Sequence, residues 1–358
     1  MSFAEDTDFF MTIKDIFSES IKLHASDVHL AAYRRPIVRV DGMLIEIGSM
    51  PVLSPKEIEA LIEDMLNEGQ HSRLMQCKDF DLLYELDAHN RFRVTFFCER
   101  GSASLAARII QPNIPTLQEI AMPLDWFGTV GLREGLVLVT GPTGSGKSTT
   151  LASILQQINM SRTENIVTLE DPIEYVFPLG HSLIRQRQLG VDMPSFRDGL
   201  RYVLRQDPDI IMIGEMRDPE TIAATITLAE TGHLVFSTLH TLNAAQTIHR
   251  IIDMFGAEQQ GQIRLQLALT LKCIISQRLL PRIGGGRIPA REVLVNAPAV
   301  ANLIRENKME HVQSVLQTGA SAGMMTMDTS LALLYRHGHI RKEDAALFMQ
   351  QPSLLDRP

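Results

Sequence analysis

The chain has 358 residues, 45% of them apolar and 21% charged, with 34 basic against 42 acidic side chains and a net charge of −8. That balance excludes a disordered or fibrous chain and argues against a dedicated nucleic-acid binder, which carries a basic domain. At ~150 residues per domain the length predicts about two domains.

The first residues, MSFAEDTDFF, are acidic where a secretory signal would be basic. The three cysteines, Cys77, Cys98 and Cys273, lie far apart and form no C-x-x-C pair. Free thiols in a reducing compartment are expected, not a disulfide framework or a zinc site. No apolar run approaches the ~18 residues that span a bilayer. A soluble cytoplasmic chain, reaching any membrane through partners, is the expectation.

Residues 12–30 read as a helix running into a short strand around Val28. Pro36 to Val40 and Leu44 to Ile47 flank Asp41-Gly42, a hairpin turn signal. Ser54, Pro55 and Glu57 then supply an N-cap, a first-position proline and the far half of a capping box, with Leu53 and Ile58 placed as a hydrophobic staple. Ile58, Leu61, Ile62, Met65 and Leu66 form one apolar stripe, and Gly69 reads as the stop. Strands are predicted over 80–86, 91–97 and 104–110, which makes the first ~110 residues a small α/β module. Residues 111–123, QPNIPTLQEIAMP, carry three prolines and read as a boundary, with a short helix before Gly135. Apolar β-rich runs then recur at 135–140, 166–169, 210–213 and 234–238, separated by helical stretches. Such runs predict a parallel sheet covered on both faces. From about 257 onward the pattern reads as helical, broken by GGG at 284–286. The domain boundaries expected are 1–112, a linker at 113–125, a core at 126–290 and a helical region at 291–358.

The chemistry is densest at GLVLVTGPTGSGKSTT, 135–150, where an apolar strand enters a glycine-rich turn and a helix start. This is a G-x-x-x-x-G-K-[ST] phosphate-binding loop comprising Gly141, Pro142, Thr143, Gly144, Ser145, Gly146, Lys147, Ser148 and Thr149. Glycines let backbone N–H groups close on phosphate oxygens, and the helix N-terminus adds partial positive charge. Lys147 suits the β/γ-phosphates of ATP, and the Ser148 hydroxyl suits Mg²⁺. DPDIIMIGE, 207–215, ends an apolar strand in Glu215, either a solvated strand-end residue or the acid that orients the attacking water. TLEDPIEY, 168–175, places Glu170, Asp171 and Glu174 after another strand. Glu170 suits the metal and water shell, and the alternative is that these acids cap a turn. AETGHLVFSTLH, 229–240, sets His233 and His240 at opposite ends of a strand. His240 is a candidate γ-phosphate sensor or a structural hydrogen-bonding residue.

Taken in this order, the four segments resemble the secretion and type IV pilus motor ATPases: 141–148 their Walker A, 168–175 their Asp box, 207–218 their Walker B and 229–240 their His box. ASDVHL at 25–30 followed by VRVDG at 38–42 is similar to the family's PAS-like domain. The resemblance implies an α/β fold, with an N-terminal PAS-like domain and a RecA-like phosphate-loop ATPase domain ending in a helical region. It also implies a homo-oligomeric ring of six, hydrolysis of ATP with Mg²⁺, and arginines from the N-terminal module, here Arg91, Arg93 and Arg108, completing the site. GEMRD at 214–218 and AVANLIRE at 299–306 are similar to the pilus retraction branch, although Ala301 stands where the family segment has arginine. The four-cysteine zinc element usual in assembly and secretion relatives is missing. An inner-membrane platform protein and a paralogous pilus ATPase are the partners implied, and no nucleic acid. The alternatives are an assembly, secretion or DNA-uptake ATPase of the same fold, or a phosphate-loop small-molecule kinase.

Overall fold

A computed structural model describes residues 11–40, 42–76, 79–87, 90–110, 113–122 and 131–356. The acidic first ten residues, Asp41 of the hairpin, Cys77 and the segment expected to hold a helix before Gly135 lie outside the described residues, apart from 131–134. The chain divides into two compact units, one running to Asn113 and the other starting at Ile114. No helix among the described residues is long and apolar enough to cross a membrane.

In the first unit, strands β1 (Asp27–Leu30), β2 (Ile37–Val40), β3 (Met43–Glu46), β4 (Phe80–Glu85), β5 (Arg91–Glu99) and β6 (Ser102–Ile110) form an antiparallel sheet ordered β3-β2-β1-β6-β5-β4. Strand periodicity decides which face is covered. Phe92, Val94 and Phe96 of β5 are buried, while the alternate Arg91, Arg93 and Thr95 are half-buried. The core adds Ile16 and Phe17 of helix Ile13–Lys22 and Ile58 and Ile62 of helix Pro55–Glu63. Phe17 stacks on Phe92, ring centroids 4.0 Å apart. The expected capping box is formed: Glu57 N–H donates to the Ser54 hydroxyl, and Ser54 N–H donates to the Glu57 carboxylate at 2.7 Å. That helix ends at Glu63, and Gly69 is not its stop. Asn67 and Gln70 cap each other reciprocally at 3.0 Å and start a further helix, Glu68–Met75, with Gly69 in its first turn.

The second unit holds β7 (Gly135–Thr140), β8 (Asn165–Glu170), β9 (Leu183–Gln188), β10 (Ile210–Ile213), β11 (Leu234–Leu239), β12 (Leu271–Pro281) and β13 (Arg287–Val295), ordered β13-β12-β7-β11-β10-β8-β9. All neighbours are parallel except the antiparallel pair β12–β13. Alternation again sorts the faces. Val137, Val139, Ile210, Met212 and Phe236 meet Leu151, Ile154, Leu155 and Ile158 of helix Lys147–Ser161. Leu136, Leu138, Ile211, Ile213 and Val235 face helices Phe196–Val203, Pro219–Glu230, Ala244–Asp253 and Ala257–Thr270. The sheet is covered on both faces, as its continuous apolar strands require.

Two expectations are corrected here. The stretch from 257 is helical only to Thr270; β12 and β13 follow as a hairpin whose turn contains Gly284, Gly285 and Gly286, all at positive φ. A fully buried strand has no polar alternation to announce it, so LKCIISQRLLP carries little strand signal. In addition, the later part of the expected linker is built into the second unit. Leu117, Ile120 and Met122 are buried, and Arg291 of β13 donates to the carbonyls of Ile120 and Ala121 at 2.8 Å each. That guanidinium is almost fully buried, and burial pushes it down to about 10.

Ser54→Ala should lower the denaturant midpoint by the equivalent of about 1 kcal/mol with an unchanged slope, since it removes one cap and no core contact. Urea unfolding followed by circular dichroism measures this, and an unchanged midpoint contradicts the role given to the cap.

Candidate active site

Strand order builds the site. In a parallel sheet all C-terminal ends lie on one edge, where ligands of open α/β sheets bind. β7 ends in the phosphate loop, β10 ends at Ile213 just before Gly214 and Glu215, and β11 ends at Leu239 just before His240. Because β11 lies between β7 and β10, His240 lies between Lys147 and Glu215. Its Nδ1 is 3.5 Å from Lys147 Nζ and 3.5 Å from the Thr143 hydroxyl, and its Nε2 is 3.1 Å from Glu215 Oε1. With an ammonium donor on Nδ1, the ring proton belongs on Nε2 and is donated to Glu215. The other carboxylate oxygen of Glu215 accepts from Arg217 Nε at 2.9 Å, and Arg217 Nη1 reaches Asp171 at 3.4 Å.

The phosphate loop closes as its glycines require. Gly141 and Gly146 have φ of 146° and 84°. A Cβ on Gly141 would stand 2.3 Å from the Gln277 carbonyl oxygen, and one on Gly146 would stand 2.9 Å from Leu279 Cδ1. Gly146 is also the N-cap of helix Lys147–Ser161, so the backbone must turn left-handed where the helix starts. Lys147 is buried and donates to the carbonyls of Gly141 and Pro142 at 2.9 and 3.2 Å. Burial pushes its ammonium below the ordinary lysine value, opposed by the negative charges of Glu215 and Glu174. Ser148 and Thr149 follow on the first helical turn, half-buried, and the Thr149 hydroxyl meets Tyr175 OH at 2.8 Å. Ser145 is buried within the loop, and Pro142, Thr143 and Gly144 form its outer part.

Sequence reasoning missed the residue that fixes this loop from the next strand. Gln277 of β12 is buried; its amide donates to the Ser145 carbonyl at 2.6 Å and accepts from the Thr150 hydroxyl at 2.9 Å. Beside it, Thr140 donates to the Ser276 hydroxyl at 2.9 Å. Recognising β12 as a strand next to β7 was the missing step.

The Asp-box carboxylates separate by environment. Glu170 is buried at the end of β8, accepting from the Thr168 hydroxyl at 2.7 Å and Gln186 Nε2 at 3.0 Å. Burial pushes it up to about 6, against the hydrogen bonds from Gln186, Thr168 and the Glu174 backbone. Glu174 is exposed, and its charge reaches Lys147. It therefore acts on the loop through its charge. His233 sits at the far end of β11, bonded to the Leu228 carbonyl. Arg91, Arg93 and Arg108 lie in the first unit, paired there with Glu85, Asp81 and Asp27 at 2.8, 2.8 and 2.9 Å.

The chemistry this arrangement offers is cleavage of a triphosphate. A glycine-rich loop at a helix start with Lys147 offers donors of the kind that bind phosphate oxygens, and Glu215, held by His240, lies across the neighbouring strand end. The Ser148 hydroxyl, one residue from Lys147, and the nearby carboxylates are hard oxygen donors of the kind that hold Mg²⁺ together with phosphates.

A titration separates these acids. Unfolded, Glu170 loses its proton near the ordinary 4.5; folded, near 6. The protonated form is the one favoured by folding, so this group supports the fold fully below the lower value. That support is lost as pH rises through the upper one, by about 2 kcal/mol for a shift of this size. The stability of Glu170→Gln relative to the unsubstituted chain should therefore improve by about 2 kcal/mol between pH 4 and pH 8. Urea titrations across that range measure it; a constant difference would place the charge elsewhere.

Residues 4–321 match the model of the family described as "Type II/IV secretion system protein". The chain is 44% identical over 335 residues to the "Type IV pilus retractation ATPase PilT" of Pseudomonas aeruginosa, covering 94% of this chain and 97% of that one. It is 36% identical over 336 residues to the "Type IV pilus ATPase PilU" of the same organism, covering 94% and 88%. The crystal structure of "the Pilus Retraction Motor PilT and Bound ADP" superposes with a TM-score of 0.90 at 44% identity, covering 97% of this chain and all of that one. The chain belongs to the type II/IV secretion system protein family, on the branch that holds the pilus motor ATPases.

Proposed function

We propose that this chain is the ATP-hydrolysing subunit of a motor that retracts type IV pili. The observation that carries the reading is the line Lys147–His240–Glu215 across adjacent strand ends, with the phosphate loop at one end and a carboxylate at the other. Lys147 exchanges its bonds to the Gly141 and Pro142 carbonyls for β/γ-phosphate oxygens. Ser148 supplies the protein's hydroxyl to Mg²⁺, which neutralises phosphate charge when bound. Glu215 orients the attacking water and takes its proton, while His240, held to Glu215 through Nε2, stands where the γ-phosphate is released. Glu174 adds a second carboxylate beside the loop.

Six copies in a ring are proposed, each presenting Arg91, Arg93 and Arg108 toward a neighbouring copy's triphosphate. Hydrolysis would shift the copies relative to one another and act on an inner-membrane platform protein. The greater identity to the retraction ATPase than to PilU favours the principal motor over the accessory one. The assembly direction is the second reading, since Ala301 stands where the retraction segment has arginine and the catalytic boxes do not encode the direction of work.

Glu215→Gln should lower kcat roughly 10²–10⁴-fold, the usual worth of a positioned acid–base group, while ATP binding and circular dichroism stay unchanged. Lys147→Ala should abolish both binding and turnover. Phosphate release by purified protein measures each, and retained hydrolysis in both variants refutes the assignment. In cells, loss of the chain should leave surfaces over-piliated; bald cells contradict retraction and support assembly.

A further inference from the structure

The segment carrying Glu174 belongs to no helix or strand, yet it must stay beside the phosphate loop. β9 provides the means. Gln186 and Gln188, two apart on this strand, share a face, and the register sets Gln186 opposite Thr168 and Gln188 opposite Glu170. The Gln186 amide nitrogen donates twice, to Glu170 Oε1 at 3.0 Å and to the Tyr175 carbonyl at 2.7 Å. Its amide oxygen accepts from Phe177 N–H at 3.3 Å, and Gln188 Oε1 accepts from Ile173 N–H at 3.3 Å. The same segment is tied at two more points: Glu170 accepts from the Glu174 backbone, and Tyr175 OH meets Thr149 on the first turn of the phosphate-loop helix.

We propose that Gln186 is a positioning residue for hydrolysis: it clamps residues 175–177 to β9 and, with Gln188 holding Ile173, keeps Glu174 beside the phosphate loop. The proposal rests on the ATPase reading above. The chemistry of the position is selective. It needs one N–H for a carboxylate, a second for a carbonyl, and an acceptor for a backbone N–H; a primary amide offers all three. Arginine and lysine have no acceptor, an ionised glutamate has no donor and would face Glu170, and asparagine is one methylene short. Loss of Gln186 removes the ties of Tyr175 and Phe177 to β9 and leaves that of Ile173 to Gln188, so the segment loosens on one side of Glu174 with no residue of the phosphate loop altered.

The test uses the full chain, with MgATP turnover and equilibrium binding of a fluorescent ADP analogue measured in parallel. Gln186→Met keeps the length of the side chain and removes its hydrogen bonds. The expected result is a fall in kcat of roughly 10–10²-fold, the scale of an ångström-sized misplacement. KM for MgATP and the analogue's Kd should stay within about threefold. Tyr175→Phe, which deletes one hydroxyl and no volume, should change kcat in the same direction by less, and it decides the question if Gln186→Met does not fold. The double variant should cost less than the product of the two single losses, because both act on one segment. A kcat within about threefold of the unsubstituted chain for both single variants overturns the proposal, as does a parallel loss of kcat and nucleotide affinity. An unsubstituted chain with no turnover overturns the ATPase reading itself and this proposal with it.

Discussion

The position of β11 between β7 and β10 is the constraint on which the rest of the site depends. Parallel strands put their carboxyl ends on one edge, and this order allows one histidine to touch both the phosphate-loop lysine and the acidic residue after β10. Side-chain bonds across those ends pin the spacing. Thr238 donates to the Gly214 carbonyl at 2.6 Å and Ser237 to the Ile213 carbonyl at 2.8 Å. Met216 N–H donates to the Thr238 carbonyl at 3.2 Å, so the backbone on either side of Glu215 is fixed by β11.

A second regularity runs through the unit. Chemistry-bearing loops are held by buried or half-buried amide side chains from neighbouring elements. Gln277 holds the phosphate loop, Gln186 and Gln188 hold the 171–177 segment, and Asn159 donates to the Pro178 carbonyl at 2.9 Å while Asn165 donates to the carbonyls of Gln206 and Asp207. Irregular backbone leaves N–H and C=O groups without ladder partners, and each costs free energy if buried unpaired. Gln277 and Gln186 each donate and accept, whereas the buried side-chain oxygens of Asn159 and Asn165 have no partner among the described residues; none of these amides brings net charge into the interior, so all escape the desolvation cost of an ion. Lys147 in the phosphate loop and Arg291 are charged exceptions. The almost fully buried guanidinium of Arg291 is tied to two backbone carbonyls, and burial alone lowers its affinity for the proton.

How legible this was follows from the range of each interaction. The phosphate loop, the apolar strands β7, β8, β10 and β11, and the Ser54–Glu57 box depend on neighbours within a few residues, and local spacing disclosed them. β12 escaped because a strand buried on both faces has no period-two signal, and β9 because its residues are largely polar, as an edge position permits. With those two strands unseen, Gln277 and Gln186 could not be read as functional: their partners lie 132 and up to 16 residues away. Sequence position favoured Glu170 over Glu174 for the metal and water shell; what it did not disclose is that Glu170 is buried and Glu174 exposed.

The described geometry also bears on how a motor subunit can cycle. Lys147 has three protons, directed at two loop carbonyls and His240, and both oxygens of Glu215 are engaged, by His240 and Arg217. A triphosphate takes Lys147 from neutral acceptors, two carbonyls and an imidazole nitrogen, and its charged oxygens make the stronger bonds. Binding energy is not consumed in assembling the loop, whose glycine conformations and Gln277 contact already fix it. At the rim, Arg217 pairs with Glu215 and Asp171 and so links the strand ends after β10 and β8 through one exposed guanidinium. With that guanidinium more than half exposed, solvent screens both ion pairs, so they hold the two carboxylates only weakly and exchange readily.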